Sequence, residues 1–526
     1  MPEAKNFIEP VWENVTAPCG GVGGCPAHTN IAGSLHALSL NDVNQAWKIM
    51  METHPLRSVL GRVCYGFCEK PCNRGDFDSP VSIQVLEAVI GDYGFDPDYE
   101  PEKAEPNGKK ILIVGSGPCG LTAGWYLTLA GFETVIYEAS ERPGGMLRYG
   151  IPSYRLEKDI LDREIGLIEK IGVKIELNKK VNTSDIVRSL DGGEFDAVVV
   201  ASGAGNIRYA GFEGEKKGIN GLDFLRRINT GEYKEGHLTG KKVIVIGGGN
   251  AAMDASRSAV RLGAESVRTV YRRTEEMMPA HANEVQQAKE EGVIFEFLSS
   301  PEIFDGAHLT ARKMRLGELD DTGRRKPELT DEKTEYCADV LIVAIGQEPS
   351  EWDFPKRSNI FTGGDARKDS EGTVIHSIAS GKRSADEVSR LLTGIQLFEP
   401  PGDEVTYDKM NVDRYFTRKM RLKTFKTPSA KRRLSFEPVE SAVSLEEGVV
   451  EADRCFRCGT CIGGLNSICD WCFRACGEKD GIVKVMAGWN PQGPFYNKKE
   501  GCDACGRCWE DCPRYVVRPA VVGEEK

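Results

Sequence analysis

Residues Lys109–Gly120 read KKILIVGSGPCG, and residues Lys241–Ala252 read KKVIVIGGGNAA. Each copy has two lysines, a four-residue apolar run and then a glycine loop. Each loop leads into a stretch of helix-forming residues that stops at a glycine, Gly131 or Gly263, suited to a left-handed C′ position. A short apolar run followed by a helix is the βα half of a βαβ unit in a parallel sheet. Two copies 132 positions apart predict two nucleotide-binding domains in an α/β chain.

The first loop has the form Gly115-x-Gly117-Pro118-x-Gly120, in the strand-then-helix context that gives this motif its meaning. Its glycines allow a tight turn and let a pyrophosphate approach the helix N-terminus. The next strand, TVIYE, ends at Glu138, whose carboxylate can accept hydrogen bonds from both ribose hydroxyls of an adenosine. The second loop, Gly247-x-Gly249-Asn250-Ala251-Ala252, leads to a strand that ends in Tyr271-Arg272-Arg273 instead. Arginines bind a 2′-phosphate that an acid repels. The first site therefore fits FAD, and the second fits NAD(P)H with a lean toward NADPH. The alternative for Arg272 and Arg273 is a solvated charged strand end. A third element, IFTGGD with Gly364 and Asp365, precedes a helix predicted to start near Thr373 and Val374. In two-dinucleotide flavoproteins a Gly-Asp here meets the flavin's ribityl or pyrophosphate, and the helix start faces the ring. VLIVAIGQEPS (340–350) reads as the strand returning from the nicotinamide domain.

Around this middle, seventeen cysteines fall in a 5, 1, 1, 10 pattern along 526 residues. An odd count in a large chain argues against a disulfide framework and for metal or redox chemistry. The net charge of −11 argues against nucleic-acid binding. The sequence has no long apolar run, and its polar beginning does not read as a secretory signal. Disulfide-reductase chemistry would need a cysteine pair near the flavin, and the middle offers only Cys119 and Cys337, both read as structural.

Cys502-x2-Cys505-x2-Cys508-x3-Cys512-Pro513 is the run of bacterial ferredoxins, in which three thiolates wrap one [4Fe–4S] cube and the fourth reaches a second. Zinc, which takes its sulfurs as two CxxC pairs, leaves that pattern unexplained. The partner run is Cys469-x2-Cys472-x3-Cys476, with Cys461 as its first member. One cluster would then use Cys461, Cys469, Cys472 and Cys512, and the other Cys502, Cys505, Cys508 and Cys476. Cys455 and Cys458 are left spare, and a grouping of Cys455, Cys458 and Cys461 competes. Before this region, Lys409–Arg433 carries ten Lys or Arg residues against one acid. It reads as a linker laid on an acidic body, or as a docking surface for an acidic electron carrier.

Several motifs together resemble the glutamate synthase small-subunit-like FAD/NAD(P) oxidoreductases. These are Pro18-Cys19 to Cys25-Pro26, GRVC through Cys68 to Cys72, VGSGPCGLTAGWYL, ERPGGMLRYGIP, IGGGNAAMD, YRR, EEGV, AIGQEP and GGDAR. That family includes the large subunit of the NADH-dependent ferredoxin:NADP oxidoreductase and the N-terminal half of dihydropyrimidine dehydrogenase. The text EADRC at 451–455 resembles members with a C-terminal ferredoxin domain. The resemblance implies flavin contacts at Gly145 and Met146. It also implies an N-terminal [4Fe–4S] cluster on Cys25, Cys64 and Cys68, with Glu87 as fourth ligand and Cys72 or Cys19 as its rivals. Relatives with two N-terminal clusters have a further upstream CxxCG pair, absent from residues 1–18, so Cys19 and Cys72 would be remnants. Val43, Ala46, Trp47 and Met50 mark an amphipathic helix of this region.

The expected architecture is α/β with two Rossmann-like domains. It comprises an α-helical iron–sulfur domain (1–105), an FAD domain split into 106–240 and 346–400, and an inserted NAD(P) domain (241–345). A basic linker (401–445) and an α+β 2[4Fe–4S] ferredoxin-like domain (446–526) complete it. The implied function is transfer of electrons between NAD(P)H and a partner oxidoreductase or ferredoxin, through FAD and clusters, in a cytoplasmic hetero-oligomer. The alternatives are a flavin-based bifurcating subunit and a cluster scaffold that does not turn over.

Overall fold

The computed structural model describes residues 8–12, 15–319 and 325–459, and beyond these 482–484, 496–498, 512, 514 and 517–521. Cys461, Cys469, Cys472, Cys476, Cys502, Cys505 and Cys508 lie outside the described residues.

The first glycine loop rises from the middle of a five-stranded parallel sheet. Its order is Ile360–Thr362, Ala197–Val200, Lys110–Val114, Glu133–Tyr137 and Lys174–Glu176. Ile111–Val114 and Ala197–Val200 are wholly buried, as expected of parallel strands covered on both faces. The second loop rises from the middle of another parallel sheet, ordered Ile294–Glu296, Ser266–Val270, Lys242–Ile246, Val340–Val343 and Ile219–Asn220. Strand Ile360–Thr362 thus follows the second sheet in sequence yet joins the first. An antiparallel pair, Asn206–Ile207 with Gln347–Glu348, bridges the two crossings.

Each loop helix ends as its sequence implies. Pro118–Leu129 and Asn250–Arg261 are followed two residues on by Gly131 and Gly263, with φ of 84° and 87°. A three-stranded antiparallel sheet, Ser299–Phe304, His308–Leu319 and Arg325–Cys337, extends from the second unit. Its strands are charged on exposed positions, so their alternation gave little apolar signal in the sequence.

The N-terminal region is helical: Ile31–Ser39, Val43–Met51, Arg57–Val63 and Ile83–Tyr93. Val43–Met51 is capped by Asp42, whose carboxylate accepts from Gln45 N. These helices share one continuous core with the first sheet, running from Trp47 and Leu60 to Ile113 and Ile136. Helix Leu445–Ala452 packs on the same helices, and its Ala452, with Cys455, belongs to that core. The chain ends meet as well, with Ile8–Trp12 pairing antiparallel with Val517–Val521.

The basic stretch lies on acidic partners. Arg421 pairs with Glu69, Lys419 with Asp453 at 2.6 Å, and Arg432 with Glu290 at 2.7 Å. Among the described residues, no helix is long and apolar enough to cross a membrane.

Candidate functional site

A cavity of about 590 Å³ lies between the two parallel sheets, bordered by the glycines of the first loop at 115 and 117 but not by Gly120, Gly247 or Gly249. From the first unit, Gly115, Gly117, Pro118 and Glu138 border it, with Gly145 and Met146 on one side. Gly364, Asp365, Thr373 and Val374 border it from the other strand end. From the second unit, Asn250 and Ala251 reach it.

Gly115 and Gly247 play matching parts. A Cβ on Gly115, at φ 103°, would lie 2.6 Å from Ala201 O, and one on Gly247, at φ 141°, 2.1 Å from Ala344 O. Gly120 lets its helix close on the strand, since a Cβ there would sit 2.0 Å from Gly115 O. Gly117 and Gly249 differ, because a Cβ on either would meet nothing within 4 Å. They are the N-caps of their helices, and neither helix has a side-chain cap. The first amide N–H groups are thereby left for a ligand's oxygens.

Glu138 is held by the loop it serves. Its Oε2 accepts from Ser116 N at 3.0 Å and Ser116 Oγ at 2.5 Å, and its Oε1 from Ser140 N at 2.8 Å. The carboxylate is buried with acceptor capacity to spare. Thr373 caps the helix Val374–Thr393 through its hydroxyl and His376 N. Tyr271–Arg273 follow strand Ser266–Val270, whose Val270 O accepts from Gly247 N at 3.1 Å. Arg272 is exposed and Arg273 buried, and neither borders the cavity.

The cavity also holds residues not foreseen from sequence. Arg155 Nη1 pairs with Asp254 at 2.9 Å and its Nε with Glu284 at 3.3 Å, joining the two units at the cavity floor. Tyr65, stacked on His281 with ring centroids 4.7 Å apart, borders the cavity from the N-terminal helices. Asp254 ends the motif IGGGNAAMD and could have been found there. Tyr65 and Arg155 are brought in by distant chain segments and carry no local signal.

A second, small pocket is lined by Cys25, Cys64, Cys68 and Glu87, closed by Met50 and Ile375. Glu87 accepts from Arg57 Nη1 at 3.1 Å; burial pushes its carboxyl up, and Arg57 pulls it back down. Lys382, whose amine donates to Ala27 O at 3.0 Å, is lowered to about 8 by burial. Three soft thiols with one carboxylate form a donor set that suits an iron–sulfur cluster. Cys119, on the first loop helix, packs against the Gly363–Gly364 turn, and Cys337 is exposed at a strand end.

Two parallel sheets, each followed by a glycine loop and a helix whose start borders one shared cavity, define a two-nucleotide oxidoreductase. The family model for pyridine nucleotide-disulphide oxidoreductases matches residues 109–378, and that for dihydropyrimidine dehydrogenase domain II with a 4Fe-4S cluster matches 15–98. The chain belongs to the pyridine nucleotide-disulphide oxidoreductase family, in its glutamate synthase small-subunit-like branch. It is 34% identical to the NADP(+)-dependent formate dehydrogenase subunit beta of Moorella thermoacetica, over 84% of this chain and 71% of that one. It is 31% identical to the glutamate synthase [NADPH] small chain of Escherichia coli K12, over 70% of this chain and 87% of that one. It is 39% identical to the NADPH-Fe(3+) oxidoreductase subunit beta of Geobacter sulfurreducens, over 64% of this chain, and spans about half (52%) of that relative.

Proposed function

We propose that the chain is a flavin- and iron–sulfur-dependent NAD(P)H oxidoreductase subunit, exchanging electrons with a partner oxidoreductase or ferredoxin. One observation carries this reading: the shared nucleotide cavity and the cysteine pocket lie on opposite sides of the same short segments. Val63 and Tyr65 face the cavity while Cys64 faces the pocket, and Val374 and Ile375 divide likewise.

On this reading the FAD domain is split in sequence into 106–240 and 346–400, with the nicotinamide domain of 241–345 between, although strand Ile219–Asn220 joins the second sheet. The pairing of Ile360–Thr362 with Ala197–Val200 supports that division. Gly117 and the uncapped helix start would take the FAD pyrophosphate, Glu138 the adenosine ribose, and Asp365 with Gly364 the ribityl side. Gly249, Asn250 and Ala251 would take the second pyrophosphate, and Arg272 and Arg273 the 2′-phosphate of NADPH. Cys25, Cys64, Cys68 and Glu87 would hold the N-terminal cluster, and 446–526 would carry two more in a ferredoxin-like domain. When bound, FAD would supply hydride acceptance from the nicotinamide and one-electron release toward the clusters. The protein's part is positioning and exclusion of water rather than acid–base chemistry. Such clusters suit a reducing, cytoplasmic setting, and the names of the relatives, as subunits, support a heteromeric assembly.

Anaerobic addition of NADPH and of NADH to the purified protein tests the reading. Bleaching of the flavin band, with electrons then reaching iron–sulfur absorbance, is expected. A spectrum unchanged by both nucleotides would overturn it.

A further inference from the structure

Four cysteines without a place in the sequence-derived clusters come together in the fold. Asn73, next to Cys72, donates through Nδ2 to Cys458 Sγ at 3.4 Å. Arg74, two residues past Cys72, donates to Arg454 O at 2.9 Å, just before Cys455. Segment 72–74 therefore runs alongside 454–458. Cys19 lies in the same buried core as Cys455. Val15 touches the turn after Cys458, where a Cβ on Gly459 would sit 3.0 Å from Val15 Cγ2. The turn Pro18–Gly20, which carries Cys19, packs on the turn Phe67–Glu69 that leads to Cys72. Cys19, Cys455 and Cys458 are buried and Cys72 is partly so.

What surrounds these thiols is cationic and donating. Arg74, Arg454 and Arg457 are all buried beside them. Their carboxylates are Asp78, Glu451 and Asp453, and Asp453 reaches Arg457 only at 3.5 Å and also pairs with Lys419 at 2.6 Å. Two N–H groups point at the sulfurs: Asn73 Nδ2 at Cys458, and Arg457 N at Cys455 Sγ at 3.3 Å. Hydrogen bonds to sulfur and a cationic shell are the features that stabilise and tune an anionic iron–sulfur cluster. Among the described residues, no three His, Cys, Asp or Glu side chains close on a point as a single metal ion requires. A cube needs no such common point, because its four cysteine sulfurs bind four separate irons.

We propose that Cys19, Cys72, Cys455 and Cys458 hold a further [4Fe–4S] cluster whose ligands come in pairs from the two ends of the chain. Cys19 and Cys72 are then working ligands rather than remnants, and Cys455 and Cys458 supply the CxxC pair that residues 1–18 lack. The site adjoins the Cys25 pocket: Cys25 N donates to Cys19 O at 2.8 Å, and Cys68 and Cys72 are four positions apart. The cluster also pins helix Leu445–Ala452 and the start of the C-terminal region to the N-terminal helices. The assignment is independent of the nucleotide reading, since none of its ligands borders the large cavity.

The test uses the full-length protein, loaded anaerobically with iron and sulfide. Iron and sulfide per chain are counted by native mass spectrometry, with flavin content as the check on folding. Cys19→Ser, Cys72→Ser and Cys458→Ser should each remove, or convert to a three-iron form, the same cluster, a loss of up to about four irons. Cys119→Ser and Cys337→Ser should lose none. The double variant Cys19→Ser/Cys458→Ser should lose no more than the four irons of one cluster, as members of one site must. Iron unchanged in Cys19→Ser and Cys72→Ser while Cys458→Ser loses it would overturn the proposal, as would a double variant that loses more than one cluster's four irons. Where a serine variant loses flavin as well, Asn73→Ala decides. It removes the donor to Cys458 Sγ and should shift the reduction potential of one cluster with the iron count intact. Potentials identical to those of the parent would overturn the proposal.

Discussion

Cys64 and Tyr65 are consecutive residues that face different chambers: Tyr65 borders the nucleotide cavity, and Cys64 lines the cysteine pocket. Helix Arg57–Val63 ends just before them, and Cys64 is extended, at φ −71° and ψ 143°. Extended backbone sends neighbouring side chains to opposite sides. A single peptide unit therefore forms the wall between the place that suits a flavin and the place that suits a cluster. At the start of helix Val374–Thr393, Val374 borders the nucleotide cavity and Ile375 the cysteine pocket.

The buried pair Arg57–Glu87 ties that pocket to the helix behind it. Glu87→Gln keeps an oxygen toward the thiols but removes the charge that answers Arg57. It should retain iron in the pocket while altering that cluster's potential. Glu87→Ala should lose the iron and cost roughly 3–5 kcal/mol in stability, because it leaves Arg57 buried and unpaired. Iron analysis with a redox titration separates the two. Equal iron and an unchanged potential in both variants would remove Glu87 from the ligand set.

Glu138 makes a sharper case for the flavin. Its carboxylate is already fixed by Ser116 and Ser140, so Glu138→Ala removes both a ribose acceptor and the brace of the glycine loop. Loss of charge-assisted hydrogen bonds of this kind costs about 1.5–3 kcal/mol each. The expected outcome is a ten- to hundredfold weaker hold on FAD, read as the flavin-to-protein ratio after gel filtration. A full complement of flavin would argue against the assignment.

The glycine loops, their strands and the acid at 138 were legible because each is local: tight turn, apolar run and cap sit within about thirty residues. The cavity was legible only in its glycine-rich parts. Arg155 and Tyr65 enter from other segments, and no spacing rule links them to the loops. The four cysteines at 19, 72, 455 and 458 show the limit most clearly. Cysteine spacing identifies a cluster when its ligands share a short run, whereas Asn73 and the Cys458 it touches are 385 positions apart. The helix Leu445–Ala452 has a readable capping box of Ser444 and Glu447, but nothing local says that it packs on the N-terminal helices.

Arg272 and Arg273 can be separated experimentally because their environments differ. Arg272 is exposed, so Arg272→Ala should leave the melting temperature within a degree or two of the parent. Its loss should raise KM for NADPH about tenfold or more, with KM for NADH little changed. Arg273 is buried, and Arg273→Ala should cost stability as well. Steady-state kinetics with both nucleotides tests the pair. An NADPH/NADH ratio unaltered in Arg272→Ala would reassign that arginine to a solvated strand end.

Glu164 gives a pH dependence that couples the first parallel-sheet unit to the N-terminal helices. Its carboxylate accepts from Ser58 N at 2.5 Å and Val59 N at 3.2 Å, so it caps helix Arg57–Val63 from another part of the chain. Burial nonetheless raises the carboxyl to about 7, with the two backbone donors pulling the other way. A carboxyl whose folded value lies above its unfolded value near 4.5 binds protons more tightly when folded. Its contribution is then fully present below pH 4.5 and is lost as pH rises through 7. The stability difference between the parent and Glu164→Gln should therefore fall between pH 5 and 7, by up to roughly 3 kcal/mol over the full window, and stay flat above pH 8. Anaerobic thermal melts of both proteins across that range provide the check. A difference that grows with pH would mean that the cap, rather than burial, sets the charge on Glu164, with the carboxylate ionised throughout.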